Sequence, residues 1–238
     1  MDNEKGNLYL IPTTLGDNDP VEVLPISVKE TIEKLDTFIV ENGKTARRFI
    51  KKIAPSKPQP SLNLFILNKH TETTELPGFL EPCLNGKNIG LLSEAGCPGV
   101  ADPGADVVKI AHQKNIKVVP LVGPSSILLA LMGSGMNGQS FAFNGYLPID
   151  KGDRKNELRR LERLSFDHNQ SQIFIETPYR NNKMLEDITS VLGGNTDVCV
   201  ACDITLPSEF IKTKSVSLWK KNMVDLHKRP TIFIIHKS

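Results

Sequence analysis

The sequence predicts an α/β fold in two domains, with a mostly parallel sheet in the first and a mixed sheet in the second. Three observations predict it. Short apolar runs recur with no polar face, as strands covered on both sides require. Segments with helical apolar spacing alternate with these runs through the first half. In the second half the strands and helices alternate less regularly, which a purely parallel order does not produce.

The elements follow in order. Leu8-Tyr9-Leu10-Ile11 is a strand stopped by Pro12-Thr13-Thr14-Leu15-Gly16. Val28, Ile32 and Leu35 have helical spacing, Thr37–Val40 is strand-like, and Lys44–Ile53 is a basic amphipathic helix. Strands follow at Leu64–Leu67, Ile89–Leu92 and Lys117–Pro120, with a helix from Gly104 to Lys114 between the last two. Beyond them come a helix at Ile127–Met132, a strand at Phe141–Phe143 and a charged helix at Asn156–Leu164. Ile173–Ile175, Asp197–Cys202 and Thr231–Ile235 are strands, Asn182–Leu192 a helix, and Phe210–Lys214 an edge strand. The boundary is expected near Leu121, dividing residues 1–120 from 121–238.

Composition narrows the class. The 238 residues exceed one typical domain of ~100–200. With 29 basic and 27 acidic side chains the net charge is only +2, which excludes a protein held on nucleic acid by bulk charge alone. Four cysteines make no disulfide framework, and the polar start Met1-Asp2-Asn3-Glu4-Lys5 is no secretion signal, so a soluble cytoplasmic protein is expected. Val118–Ile149 has 32 residues without Asp, Glu, Lys or Arg, yet Pro120, Gly123, Pro124, Gly133, Gly135 and Gly138 break it into strand, turn, helix and strand.

The densest chemical signal is Ser93-Glu94-Ala95-Gly96-Cys97-Pro98-Gly99-Val100-Ala101-Asp102-Pro103-Gly104. It joins a strand to a helix, where open α/β sheets bind ligands. Its glycines and prolines fix a backbone path that a ligand can approach closely. The plainer alternative makes Asp102 the cap and Pro103 the first residue of the next helix. Gly123-Pro124-Ser125-Ser126 is a second small-residue turn before a helix, suited to an anionic group or simply to capping. No G-x-G-x-x-G follows the first strand and no P-loop motif occurs, so neither a nicotinamide or flavin site nor a P-loop nucleotidase is predicted. Cys199 and Cys202 point to opposite faces of one strand, and the five histidines lack ligand spacing, so no metal is expected. Lys44, Arg47, Arg48, Lys51 and Lys52 form one basic segment; Lys151, Arg154, Lys155, Arg159, Arg160 and Arg163 dominate another. Each is either a solvated helix face or a phosphate-contacting surface.

Taken together, Gly6-Asn7-Leu8-Tyr9-Leu10-Ile11-Pro12-Thr13, Ser93 through Gly104, Val118 through Ser126, Gly145-Tyr146-Leu147-Pro148 and Glu176-Thr177-Pro178-Tyr179-Arg180 resemble the tetrapyrrole methylase family of S-adenosylmethionine-dependent methyltransferases. The resemblance is greatest to the branch that methylates a cytidine ribose 2′-oxygen in small-subunit ribosomal RNA. It implies a cofactor cleft between the two domains, and a homodimer. By position it assigns Pro12, Ser93, Glu94, Ala95, Gly96, Val100, Pro124, Ser125, Ser126, Thr177, Ala201 and Pro230 to S-adenosylmethionine. Glu41, His70 and Glu72 match polar motifs of the RNA branch and are candidates for the base that a ribose hydroxyl needs. Lys44, Arg47 and Arg48 are candidates for substrate phosphates. The chain has Glu41-Asn42-Gly43-Lys44 where the branch has Glu-Asp-Thr-Arg, and Ser93-Glu94 where it has Ser-Asp. Tyr179 stands for a His and Asp203 for a Glu. Three functions are weighed: an RNA ribose methyltransferase, a methylase of a tetrapyrrole or other small anion, and a cofactor-binding RNA-associated protein without transfer activity.

Overall fold

The computed structural model describes residues 4–238. The polar start Met1-Asp2-Asn3, on which the expectation of no secretion signal partly rests, lies outside the described residues. The chain forms two compact units, the first ending at Ser125 and the second running Ser126–Ser238.

In the first unit β1 (Leu8–Ile11), β2 (Thr37–Val40), β3 (Asn63–Ile66), β4 (Ile89–Leu92) and β5 (Val118–Pro120) make one sheet in the order β3-β2-β4-β1-β5. Every pairing is parallel, as expected of strands apolar on both faces. Successive side chains enter opposite cores because a strand alternates. Phe38, Val40 and Ile11 join Val28, Ile32 and Ile50 on one face. Ile39, Leu8 and Leu91 join Leu80, Val107 and Ala111 on the other. The helix Gly43–Ile53 buries Ala46, Ile50 and Ile53, and Asn42 caps it by accepting from the Lys44 and Thr45 N–H groups. Short helices at Pro20–Val23, Leu76–Phe79 and Glu81–Leu84 were not readable from the sequence. Four residues are too few to display a period, and each helix is set by a proline in its first turn.

The second unit holds β6 (Phe141–Tyr146), β7 (Ser171–Ile175), β8 (Asp197–Cys202), β9 (Phe210–Ser215) and β10 (Thr231–His236) in the order β6-β7-β10-β8-β9. Only β6 and β7 pair in parallel; β10 lies at the centre, antiparallel to β7 and β8, and β9 is the expected edge. Cys202 enters the main core of this unit and Cys199 is buried away from it, consistent with opposite faces and structural roles. All four cysteines are free thiols, and no group of His, Cys, Asp or Glu among the described residues could hold a metal. Gly133, Gly135 and Gly138 have the G-x-G-x-x-G spacing, but they close the helix Ser126–Ser134 instead of linking a strand to a helix. No helix among the described residues is long and apolar enough to cross a membrane.

The charged helix extends further than expected, over Lys151–His168, because Asp150 caps its start by accepting from the Gly152 and Asp153 N–H groups. Two of its pairs are local, Arg160 with Glu157 and Arg163 with Asp167. Arg154 is a correction to the solvated-face reading. It is buried and donates from Nε and Nη2 to Asp187 Oδ2 at 2.9 and 2.6 Å, while Nη1 reaches the Pro148 and Ile149 carbonyls. Removing one member of a buried pair leaves an uncompensated charge. Arg154→Ala is therefore expected to cost about 3–5 kcal/mol of unfolding free energy in urea titration. Arg163→Ala, at an exposed pair, is expected to cost well under about 1 kcal/mol.

Candidate active site

The strand order brings the ends of β1, β4 and β5 side by side, and all three strands run the same way. The segments that follow them, Pro12–Gly16, Ser93–Gly104 and Leu121–Ser125, therefore leave one edge of the sheet together. This carboxyl edge is the usual ligand position of open α/β sheets. Hydrogen bonds lace the three segments. Ser93 N–H donates to the Ile11 carbonyl at 3.3 Å, Leu121 N–H to Leu10 at 3.0 Å, and Thr13 N–H to Gly96 at 2.9 Å. Cys97 Sγ lies 3.4 Å from the Pro124 carbonyl, and burial pushes its thiol pKa up, so it is a packing group and not a nucleophile.

Two glycines make this lacing possible. Gly96 has φ +77°, and a Cβ there would stand 3.2 Å from the Pro124 carbonyl oxygen. A Cβ on Gly123 would collide with the Pro12 ring. Within the long loop Ser93 and Gly96 are buried, whereas Glu94, Ala95 and Val100 are exposed. Ser125 closes the first unit, and Ser126 begins the helix Ser126–Ser134.

Asp102 is the residue that sequence reasoning undervalued. The capping alternative fails: the helix begins at Ala105, and Gly104 occupies its cap position with no side-chain bond. Asp102 is instead half-buried, hydrogen-bonded to Ser93. Burial pushes its carboxyl pKa up to about 6, with Glu41 and Glu94 adding repulsion against the Ser93 bond. Nothing in the local sequence signals this, because Glu41 arrives from β2, the strand beside β4. Of the three candidate bases, Glu41 alone acts on Asp102. His70 and Glu72 follow the outermost strand and are exposed in local turns, their N–H groups donating to Asn68 Oδ1 and Glu75 Oε1.

The basic helix is only partly available. Arg47 donates to the Gln59 and Leu62 carbonyls at 2.6 and 3.3 Å, which ties the helix to the segment entering β3 and removes this guanidinium from the expected phosphate contacts. Lys51 reaches the Pro55 carbonyl and Lys52 pairs with Asp17. Lys44 and Arg48 are exposed. Arg48 lines a cleft of about 300 Å³ whose other walls include Thr13, Thr45, Phe49, Ser93 and Glu94.

In the second unit Thr177, Ala201 and Pro230 converge on one edge of the sheet, since Ile232 sits opposite both Ile175 and Ala201. Glu176 is buried there, accepting at Oε1 from the Thr177 N–H and from Arg180, each at 2.6 Å. Asp203 N–H donates to the Pro230 carbonyl at 3.0 Å, and Asp203 Oδ2 accepts from Arg229 Nε at 2.7 Å. Ala201 is a correction: it exposes no surface, being held between β9 and β10, so its methyl is core and not a ligand contact.

The departures from the RNA-branch motifs have local explanations. Asn42 caps its helix, a role Asn and Asp fill about equally. Glu94 accepts from Thr45 Oγ1 at 2.6 Å, and Asp203 pairs with Arg229. Tyr179 packs edge-on against His227.

Two α/β units, one with loops gathered at the carboxyl edge of a parallel sheet, define an α/β protein with its candidate ligand position at that edge. The chain belongs to the family of tetrapyrrole (corrin/porphyrin) methylases, whose model matches residues 7–217. It is thus an enzyme of the methyltransferase class. It is 31% identical over 205 residues to a ribosomal RNA small subunit methyltransferase I of Vibrio cholerae, covering 86% of this chain and 67% of the relative. The protein of the same name from Escherichia coli O157:H7 is 28% identical over 242 residues, covering all of this chain and 80% of the relative. Among solved structures, the methyltransferase CobJ superposes with a TM-score of 0.65 at 16% identity, covering 98% of this chain and 95% of the other. Uroporphyrin-III C-methyltransferase from Thermus thermophilus, complexed with S-adenosylhomocysteine, gives 0.57 at 14% identity, covering 98% of each chain. These likenesses confirm the two-unit α/β fold.

Asp102 makes stability depend on pH. Its folded pKa of about 6 lies above the ordinary 3.8, so the folded state holds a proton that the unfolded chain has released. Stability from this group is present below that window and is lost as pH rises through it. Melting curves of Asp102→Asn and the wild type are expected to diverge across this window, the variant becoming relatively more stable toward neutral pH. A difference that stays constant from acid to neutral pH would contradict the raised pKa.

Proposed function

We propose that this enzyme transfers a methyl group from S-adenosylmethionine to a ribose 2′-oxygen of small-subunit ribosomal RNA. The observation that carries this reading is similarity across nearly the whole chain to proteins named as ribosomal RNA small subunit methyltransferases.

The residues at the carboxyl edge of the first sheet fit such a cofactor. Pro12, Ala95, Gly96, Val100 and Pro124 bring small side chains and backbone carbonyls, and glycine at 96 lets the loop close on Leu15 and the Pro124 carbonyl, which a Cβ would crowd. When bound, S-adenosylmethionine supplies a methyl on a sulfonium, so the difficult chemistry is its own. Low-polarity loops suit a charge that disperses as the methyl leaves, and carbonyls can hold that methyl by weak C–H···O contacts. Ser125, at the end of the same segment, is also assigned to the cofactor. The protein's further task is to hold the acceptor oxygen in line, a contribution worth ~7–11 kcal/mol in good cases.

A ribose hydroxyl also needs its proton taken during attack. Asp102, with its pKa near 6 and Glu41 beside it, is better matched to neutral pH than an ordinary surface carboxylate. Lys44 and Arg48 are the groups of the basic helix left for substrate phosphates. Family likeness further supports a homodimer acting in the cytoplasm, the former testable by light scattering.

Methyl-labelled cofactor incubated with ribosomal subunits, total RNA and a small-molecule extract tests the reading. Alkali-resistant label in small-subunit RNA is expected; label in small molecules alone would replace RNA with a tetrapyrrole-like acceptor. Glu41→Ala is expected to lower turnover with cofactor affinity unchanged in calorimetry. Gly123→Ala, which displaces Pro12, is expected to weaken cofactor binding about tenfold or more, equivalent to about 1.4 kcal/mol.

A further inference from the structure

The cleft of about 300 Å³ lies wholly within the first unit and adjoins the Ser93–Ala95 segment. Its size is at the lower end for small-ligand pockets, on the scale of one nucleotide. Thr13 lines it, is 3% exposed, and leaves Oγ1 without a hydrogen-bond partner. Buried hydroxyls are normally satisfied, so an orphan on a residue that lines a cleft marks the place of an absent partner. The neighbouring hydroxyls differ: Thr14 Oγ1 donates to the Gly16 carbonyl at 2.7 Å, and Thr45 Oγ1 to Glu94 at 2.6 Å.

Two further groups narrow the ligand. Arg48 lines the cleft and makes no hydrogen bond or ion pair among the described residues, whereas Arg47 and Lys52 on the same helix are tied down. Its charge is felt by Asp17 only at a distance. Phe49 presents a half-buried ring to the same space. A lone hydroxyl donor, an unpaired guanidinium and an aromatic face together suit a molecule with oxygen acceptors, a phosphate and a flat ring. Proteins that recognise RNA stack unpaired bases on aromatic side chains, and enzymes acting on a nucleotide take it out of its helix.

We propose that this cleft seats one unstacked nucleotide of the RNA, its base against Phe49, its phosphate at Arg48, and one oxygen accepting from the Thr13 hydroxyl. The proposal rests on the RNA reading above for its biological ligand, but its binding test does not. Cytidine 5′-monophosphate is the probe, titrated into the full chain by calorimetry or ligand-observed NMR. Wild-type protein is expected to bind it, with about tenfold weaker binding for Thr13→Val and for Arg48→Gln. Thr13→Ser, which keeps the hydroxyl, is expected to restore it. In RNA methylation the KM for RNA is expected to rise about tenfold in the first two variants. S-adenosylmethionine affinity is expected to stay unchanged.

No binding of the nucleotide to the wild type, or variants with unchanged nucleotide affinity and KM, would overturn the proposal. Thr13→Val that weakens S-adenosylmethionine while leaving the RNA KM untouched would overturn it too, and assign the cleft to the cofactor. If wild-type protein labels no RNA yet binds the nucleotide through these residues, the cleft stands and the ribosomal reading fails.

Discussion

The site depends on the parallel register of β4, β1 and β5. Because Leu8 lies opposite both Ile89 and Val118, the three strands end at nearly the same height and release their loops together. The Thr13 to Gly96 hydrogen bond and the packing of Pro12 on Gly123 then fix those loops against one another. A Cβ on Gly123 would overlap the Pro12 ring, and one on Gly96, at φ +77°, would crowd the Pro124 carbonyl, so loop geometry is set by backbone shape. That is a suitable frame for a sulfonium nucleoside, which needs a shaped, weakly polar surface more than strong charges.

Electrostatics are graded across the same edge. Glu41, Glu94 and Asp102 concentrate negative charge beside Ser93, with Asp102 the member held back from full acidity. On the helix Gly43–Ile53, by contrast, three of five basic groups are engaged by carbonyls or an aspartate. The apparent basic surface therefore reduces to a few usable charges, of which Arg48 sits in a cleft. Acceptor recognition by shape with one or two charges agrees with a net charge of only +2.

Changes to the RNA-branch motifs look less disruptive in three dimensions than in one. Asn42 caps its helix, and Asp203 pairs with Arg229 from the entry to β10. Each substituted residue has a defined partner in this chain, so these positions are structurally occupied and not merely lost.

The sequence by itself determined the strands and the long helices, because apolar runs and helical spacing are local properties. It also located the two turns, since glycine and proline constrain the backbone wherever they occur. Tertiary structure alone decided which charges were real. Arg154 reads as surface until Asp187, far along the chain, buries it, and Arg47 reads as a phosphate ligand until the Gln59 and Leu62 carbonyls take it. Asp102 reads as a cap until the helix is seen to begin at Ala105 and burial, with Glu41 and Glu94 adding repulsion, lifts its carboxyl pKa. The Thr13 hydroxyl looks ordinary until the loops around it leave it buried with no partner. The reason is common to all four: desolvation and pairing depend on neighbours distant in the chain, which no local pattern encodes.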